Sequence, residues 1–588
     1  MKNVNFNKVI VLDETFKNRI ETVNGTTIRH AIKKLYDTPR IENFINANKA
    51  INGEPHGEFI GITFDDTDLY KIIEGAGYIL SEIDDPELEE MIDKLIVYIS
   101  NAQEDDGYIT TRHTIDPSLK WICQDAHELY NFGHLIEGAI AHFHGTSKKS
   151  FLNIAIKAAN YLCNHFTNEN VWVPGHQEIE LALIKLYELT EEEKYLYLAE
   201  QFLANRGKGL GVPNSKYSIF TENPIWLDYW DGPYHQDTMP LEYIYKVEGH
   251  AVRAMYMYSA MAMLSKYRNP EYLESLNRVW DNLLNKNAYI TGGIGSSVHN
   301  EGFTTDYDLP NLTAYCETCA SVGMVYWNSE MFLHSGETKY LDVIDREIRN
   351  GIICGLSEDG TKFNYDNPLE SDGSFERKEW FDCSCCPTQT IRFTPSIAKY
   401  IYSQDNGKFY INLLISSEYN EQSRSLKLVK ETNKMSITHN LNDDIYIRVP
   451  SYAVLQECSV PYELESGFVK ISGQYKEVEI LIGTGIRFIH SNANIVENAN
   501  KVAVQYDGYI YCIEEVDNEN FDKLSLNSEL SYIIKSQLIG NTKCEAIEAR
   551  NASGELVATL VPYYLWNNRG KGKMKVWIPN SIGGLYNL

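Results

Sequence analysis

The chain has 588 residues, 43% of them hydrophobic and 23% charged, with a formal net charge of −28. That length suits two to four domains, and the composition is that of a folded protein, which excludes a disordered chain. The acidic balance excludes a nucleic-acid surface and disfavours an anionic membrane, both of which need clustered Lys and Arg, so the expected partner is a neutral small molecule or glycan.

The segment Met1–Ile10 lacks the basic stretch, apolar core and small-residue cleavage site of a signal peptide, and no run of about eighteen apolar residues occurs. The 11 cysteines are an odd number and are densest between Cys316 and Cys386. A secreted disulfide scaffold is short and evenly paired. The sequence therefore reads as a cytoplasmic protein whose thiols bind metal or do chemistry. Its aromatic content of 12%, including 40 tyrosines, suits stacking on sugar rings.

In chain order, residues 1–17 read as a strand segment packing on a β domain. From 18 to 403 long apolar-periodic stretches predict helices, among them Leu-Ile-Glu-Gly-Ala-Ile-Ala-His from Leu135 and Ala-Val-Arg-Ala-Met-Tyr from Ala251. Within this region a degenerate repeat recurs, each copy an apolar helix, a polar turn and an aromatic-Leu pair. The copies start at His134, His176, His250 and Glu317 and reach Leu152, Leu196, Leu273 and Leu341. Polar residues at equivalent helix starts favour a closed α/α toroid, whose inner helices converge on a cavity, over an open solenoid. From about Gly407 the periodicity turns to short β-rich segments bounded by Gly, Asn, Asp and Pro. These predict an antiparallel β-sandwich over 404–500 and a second β-rich domain over 501–588, and their edges offer a surface for a homodimer.

The chemistry concentrates in two motifs. Ala-Tyr-Cys-Glu-Thr-Cys contains Glu317 and Cys319 in an E-x-C arrangement, and Asp-Cys-Ser-Cys-Cys-Pro contains Cys383, Cys385 and Cys386. Three thiolates with a carboxylate or a fourth thiol form a soft tetrahedral set that selects Zn²⁺. Adjacent cysteines suit a structural knuckle poorly, since consecutive side chains diverge. A Cys₄ staple with Glu317 as bystander is the plainer alternative. Glu301 lies in a loop just upstream, after a Gly-rich stretch too irregular to be a phosphate loop.

Taken together, His-Gln-Glu-Ile-Glu-Leu-Ala-Leu, Gly-His-Ala-Val-Arg-Ala, the Cys-Glu-Thr-Cys stretch, Phe-Asn-Tyr-Asp-Asn-Pro-Leu-Glu and Asp-Cys-Ser-Cys-Cys-Pro resemble glycoside hydrolase family 127, in order from about residue 107 to 400. The resemblance implies an (α/α)₆ barrel followed by β-sandwich domains, and a retaining exo-glycosidase that removes a terminal sugar, β-L-arabinofuranose in the first instance, from short oligosaccharides. It implies Zn²⁺ held by Glu317, Cys319, Cys385 and Cys386, with Cys385 as nucleophile and Glu301 as acid/base. His134, His176, His250 and Tyr365 match the sugar-lining positions, with His127 and His142 close to the first of them. The family often reads Cys-Cys-Pro-Pro-Asn where this chain has Thr388 and Gln389, a departure that bears on specificity. Three alternatives remain: a glycosidase acting on another pentose or modified sugar, a toroidal lyase or epimerase, and a glycan-binding protein with a structural zinc.

Overall fold

The computed structural model describes residues 1–211 and 231–580, so the last eight residues of the expected 501–588 unit lie outside it. Six buried helices matter for the site. In chain order they are α1 (Asp66–Leu80), α2 (Glu128–Thr146), α3 (Ile179–Thr190), α4 (Ala251–Leu264), α5 (Thr318–Ser335) and α6 (Cys385–Phe393). Each of the four expected helix-hairpin turns appears: Ser150–His165 follows α2, Glu193–Asn205 follows α3, Tyr272–Lys286 follows α4 and Thr338–Arg346 follows α5. The residues Ser147, Glu191 and Gly336 that end α2, α3 and α5 all have positive φ, the left-handed turn that closes a helix by bonding its last carbonyls.

The chain divides into two compact units. One comprises Val23–Leu284 with Trp380–Ser396 and is helical. Its inner helices are neighbours in the order α6–α1–α2–α3–α4. Every residue of α4 is buried, as expected of a helix that is apolar on all sides. Glycines allow the tightest approaches. A Cβ at Gly75 would lie 2.6 Å from the Ile391 carbonyl of α6, and one at Gly77 would lie 2.7 Å from the His142 nitrogen of α2. The helical region forms as expected, but ring closure is not part of it. Within this unit the helices make an arc and not a closed barrel, because α5 groups with the other unit.

Buried charge ties the arc together. The Arg392 guanidinium of α6 donates to Glu74 of α1 (2.8 Å), Glu137 of α2 (2.9 Å), Gln389 of its own helix (2.7 Å) and Tyr256 of α4 (3.0 Å). Lys185 of α3 also donates to Glu137. Two cations thus meet two carboxylates with no exposure of Arg392. Such a pair is costly to break from one side.

The second unit joins Met1–Thr22, Asn285–Glu379 and Ile397–Leu588 and holds three sheets. One six-stranded sheet runs, in spatial order, Lys2–Asn3, Tyr402–Asp405, Lys408–Ile411, Asp444–Arg448, Phe468–Ile471, Tyr462–Glu465. The pair Lys408–Ile411 and Asp444–Arg448 is parallel, a departure from the expected antiparallel pattern. A second six-stranded sheet ends on Val9–Val11, paired with Ser417–Glu421. The N-terminal segment therefore contributes an edge strand to each of two sheets. The third, nine-stranded sheet takes Glu370–Asp372 beside Lys573–Lys575 and buries Val502, Val504, Ile513, Ile547 and Leu560 on one face. No helix among the described residues is long and apolar enough to cross a membrane.

Candidate active site

The start of α5 carries Glu317 as the residue before the helix and Cys319 in its first turn. Neutral hydrogen bonds knit this start to the Asn364–Asn367 loop. The Thr318 amide donates to the Tyr365 carbonyl (3.0 Å), while the Asn367 side-chain amide donates to the Cys316 carbonyl and the Thr318 hydroxyl, both at 2.9 Å. Tyr365 is thereby fixed beside Tyr315, with ring centroids 6.2 Å apart. Cys316 has φ 41°, a left-handed backbone that turns the chain sharply before the helix. Its amide donates to the Gly295 carbonyl (2.9 Å), anchoring the loop that carries Glu301. Glu301, half-buried and also left-handed at φ 49°, closes a small turn bridged between Ser297 and Gly302.

The start of α6 carries Cys385 and Cys386. In this first helical turn the two sulfurs lie 3.9 Å apart. The divergence expected of adjacent cysteines is therefore absent. A tetrahedral zinc with Zn–S bonds near 2.3 Å separates its sulfurs by about 3.8 Å, so the spacing fits. Glu317, Cys319, Cys385 and Cys386 each offer one ligand atom, and all of these lie within 4.8 Å of one another. Three sulfurs and a carboxylate are a soft set that favours Zn²⁺ over Mg²⁺ or Ca²⁺. Neither Cys316 nor Cys383 belongs to this group, so a Cys₄ staple is not what forms among the described residues. All eleven cysteines are free thiols.

Three histidines form a second array in the helical unit. His127, His176 and His250 follow one another with ring centroids 5.6 and 5.5 Å apart. Their hydrogen bonds fix their tautomers. His127 Nδ1 sits 2.7 Å from the Asp125 carbonyl and His176 Nδ1 sits 2.9 Å from the Gln177 carbonyl, so both must donate there and present Nε2 as an acceptor. His250 Nδ1 accepts from the amides of Val252 and Arg253, which leaves the hydrogen on its Nε2. Burial keeps the first two neutral, holding the His127 pKa down at about 4 and that of His176 well below its ordinary value. Arg253 supports the array from behind, pairing with Asp125 (2.9 Å) and donating to the Gly175 carbonyl (2.6 Å).

His134 lies elsewhere. It is fully buried within α2, with Nδ1 3.1 Å from Glu178. The helix begins at Glu128, and His127, with φ 62°, is the residue before it. His127 therefore holds the position in α2 that His250 holds in α4. The Gly-His dipeptide at 133–134 marks an interior turn, and only the positive φ reveals the true start. His134, Glu137 and Glu178 also form a compact group of metal-ligand types. Arg392 and Lys185 already neutralise Glu137 there, and a further cation would be repelled.

The two departures downstream of the cysteines turn inward. Thr388 donates its hydroxyl to the Ser384 and Cys385 carbonyls (2.9 and 3.1 Å), and Gln389 accepts from Arg392.

Comparison with known proteins gives one consistent answer. Residues 8–399 match the family described as beta-L-arabinofuranosidase, GH127 catalytic domain, and residues 486–579 match the glycoside hydrolase family 127 C-terminal domain. A non-reducing end beta-L-arabinofuranosidase from Bifidobacterium longum subsp. longum is 31% identical, over 90% of this chain and 91% of its own length. A solved GH127 beta-arabinofuranosidase superposes with a TM-score of 0.88 at 33% identity, covering 99% of this chain and 98% of the other. A GH127 beta-L-arabinofuranosidase from Geobacillus stearothermophilus T6 gives 0.87 at 33% identity, covering 97% and 100%.

Proposed function

Because this chain belongs to glycoside hydrolase family 127 and is a glycoside hydrolase acting on a sugar, we propose that it releases a terminal β-L-arabinofuranose from short oligosaccharides or glycoconjugates with retention, using Cys385 as nucleophile. The observation that carries this reading is the convergence of Glu317, Cys319, Cys385 and Cys386 on one point. When bound there, Zn²⁺ keeps the coordinating thiols deprotonated at neutral pH.

The chain's own residues perform the displacement. The Cys385 sulfur attacks the anomeric carbon as the glycosidic C–O bond breaks, and the Glu301 carboxyl gives its proton to the departing oxygen. Glu301, now a carboxylate, takes a proton from water. The water oxygen attacks the same carbon and breaks the C–S bond, returning the thiolate. Two inversions give net retention. His127 and His176 offer acceptors and His250 a donor, a pattern matched to vicinal sugar hydroxyls. His134, buried inside α2 beside Glu178, is left out of this pattern. The domain division at residues 17/18, 403/404 and 500/501 and the cytoplasmic location belong to the same proposal.

A panel of p-nitrophenyl glycosides that includes both ring forms of L-arabinose, run with and without chelator, tests the substrate. The β-L-arabinofuranoside is expected to turn over fastest, and chelator is expected to abolish its hydrolysis. Cys385→Ser is expected to lower kcat at least 10³-fold, roughly the loss seen on removing a nucleophile, with an unchanged melting temperature. Near-wild-type hydrolysis by that variant would show that another group attacks.

A further inference from the structure

The helix that presents Cys385 and Cys386 begins with a serine that does not cap it. Serine is among the favoured residues before a helix, because its hydroxyl ordinarily accepts a hydrogen bond from an amide of the first turn. Ser384 occupies that position in α6 but makes no such bond. Its hydroxyl instead donates to the Asp68 carboxylate, in the first turn of α1 and 316 residues away in sequence. The same carboxylate accepts from Arg40 Nε (3.2 Å), and the Arg40 guanidinium also donates to Asp65 (3.1 Å) and to the Asp382 carbonyl (2.6 Å). Arg40, Asp65, Asp68 and Ser384 are all buried.

The segment immediately before the cysteine pair is thus held at two points, a backbone carbonyl at 382 and a hydroxyl at 384, by one ionic cluster on α1 and the helix Arg40–Ile51. At its far end α6 is fixed to the same α1 through the Gly75–Ile391 approach and the Arg392–Glu74 pair. A helix seated only for stability would use the hydroxyl on its own amides. Here a local cap is given up for a long-range tie one residue from Cys385.

We infer that Ser384, backed by Asp68 and Arg40, is a positioning residue that sets where the Cys385 sulfur stands. This inference rests on the reading of Cys385 as nucleophile. A small displacement of a reacting atom can cost up to 10²-fold in rate while leaving ground-state binding intact. The zinc-loaded Ser384→Ala enzyme, assayed on the best aryl glycoside of the panel, is therefore expected to lose about tenfold or more in kcat. Its KM should stay within about twofold and its zinc content should equal that of the wild type. Alkylation of Cys385 by iodoacetamide, followed by peptide mass spectrometry at matched zinc content, is expected to change rate in the same variant. Ser384→Thr, which restores a hydroxyl, is expected to recover both. A Ser384→Ala enzyme with unaltered kcat and alkylation rate overturns the inference, even if it melts lower, and so does a loss confined to KM. If Cys385→Ser remains active, the reading of the nucleophile fails instead, and the two failures are separable.

Discussion

Two helix starts present soft ligands in this molecule, and they are secured by opposite physics. The start of α5, bearing Glu317 and Cys319, is knitted by neutral amide, hydroxyl and carbonyl groups of the Asn364–Asn367 loop. The helix α6, bearing Cys385 and Cys386 at its start, is held by buried ion pairs, Arg40 with Asp68 beside that start and Arg392 with Glu137 at the far end. Neutral bonds are individually modest and indifferent to pH. Buried ion pairs contribute less net stability than their geometry suggests but punish the loss of one partner severely. The helix carrying the proposed nucleophile is the one placed by the stiffer, less forgiving device.

That contrast breaks most visibly at Arg392. Arg392→Met removes the guanidinium that Glu74 and Glu137 share, and is expected to cost about 3–5 kcal/mol, read as a large fall in the urea midpoint. A loss below about 1 kcal/mol would mean that the ionic tie is not what holds α6.

Asn367→Ala sharpens the other side. It removes the donor to Cys316 and Thr318 and should cost about 1–3 kcal/mol, less than Arg392→Met in the same assay. Equal costs would erase the distinction between the two starts.

A third test concerns pH on the α5 side. Burial pushes the Glu347 carboxyl up to about 8, only partly countered by the Ser321 hydroxyl of α5 and by Arg346. The folded state therefore holds a proton that the unfolded chain releases above its ordinary pKa of 4.5. Stability from this group is fully present below pH 4.5 and is lost as pH rises to about 8, with a limiting slope of about 1.4 kcal/mol per pH unit. Glu347→Gln is expected to remove that loss, so its melting temperature should gain on the wild type from pH 5 to pH 9. A gap that is constant with pH would show that Glu347 is ionised throughout.

Much of this was legible in the residues and some was not. The helical hairpins announced themselves by apolar period and polar turn, and the Glu-x-Cys and Cys-x-Cys-Cys motifs fall at helix starts where their side chains can meet. The histidine register was misleading, because Gly-His at 133–134 imitates the Gly-His pairs ahead of α3 and α4. The true α2 start shows in a positive φ at His127 and in the Arg253 tie to Asp125 just before it, neither of which has a local signature. The parallel pairing of Lys408–Ile411 with Asp444–Arg448 is likewise a non-local choice. Nothing near Ser384 in sequence reveals that its hydroxyl belongs to Asp68.

The central claim is that a cysteine sulfur forms the bond to the sugar. Rapid acid quenching of the zinc-loaded enzyme during turnover of a slow β-L-arabinofuranosyl substrate, followed by proteolysis and mass spectrometry, tests it directly. The account predicts one pentosyl unit on the peptide containing Cys385 and none in the Cys385→Ser protein. A pentosyl unit on Glu301, or turnover in which no peptide is ever labelled, would contradict it.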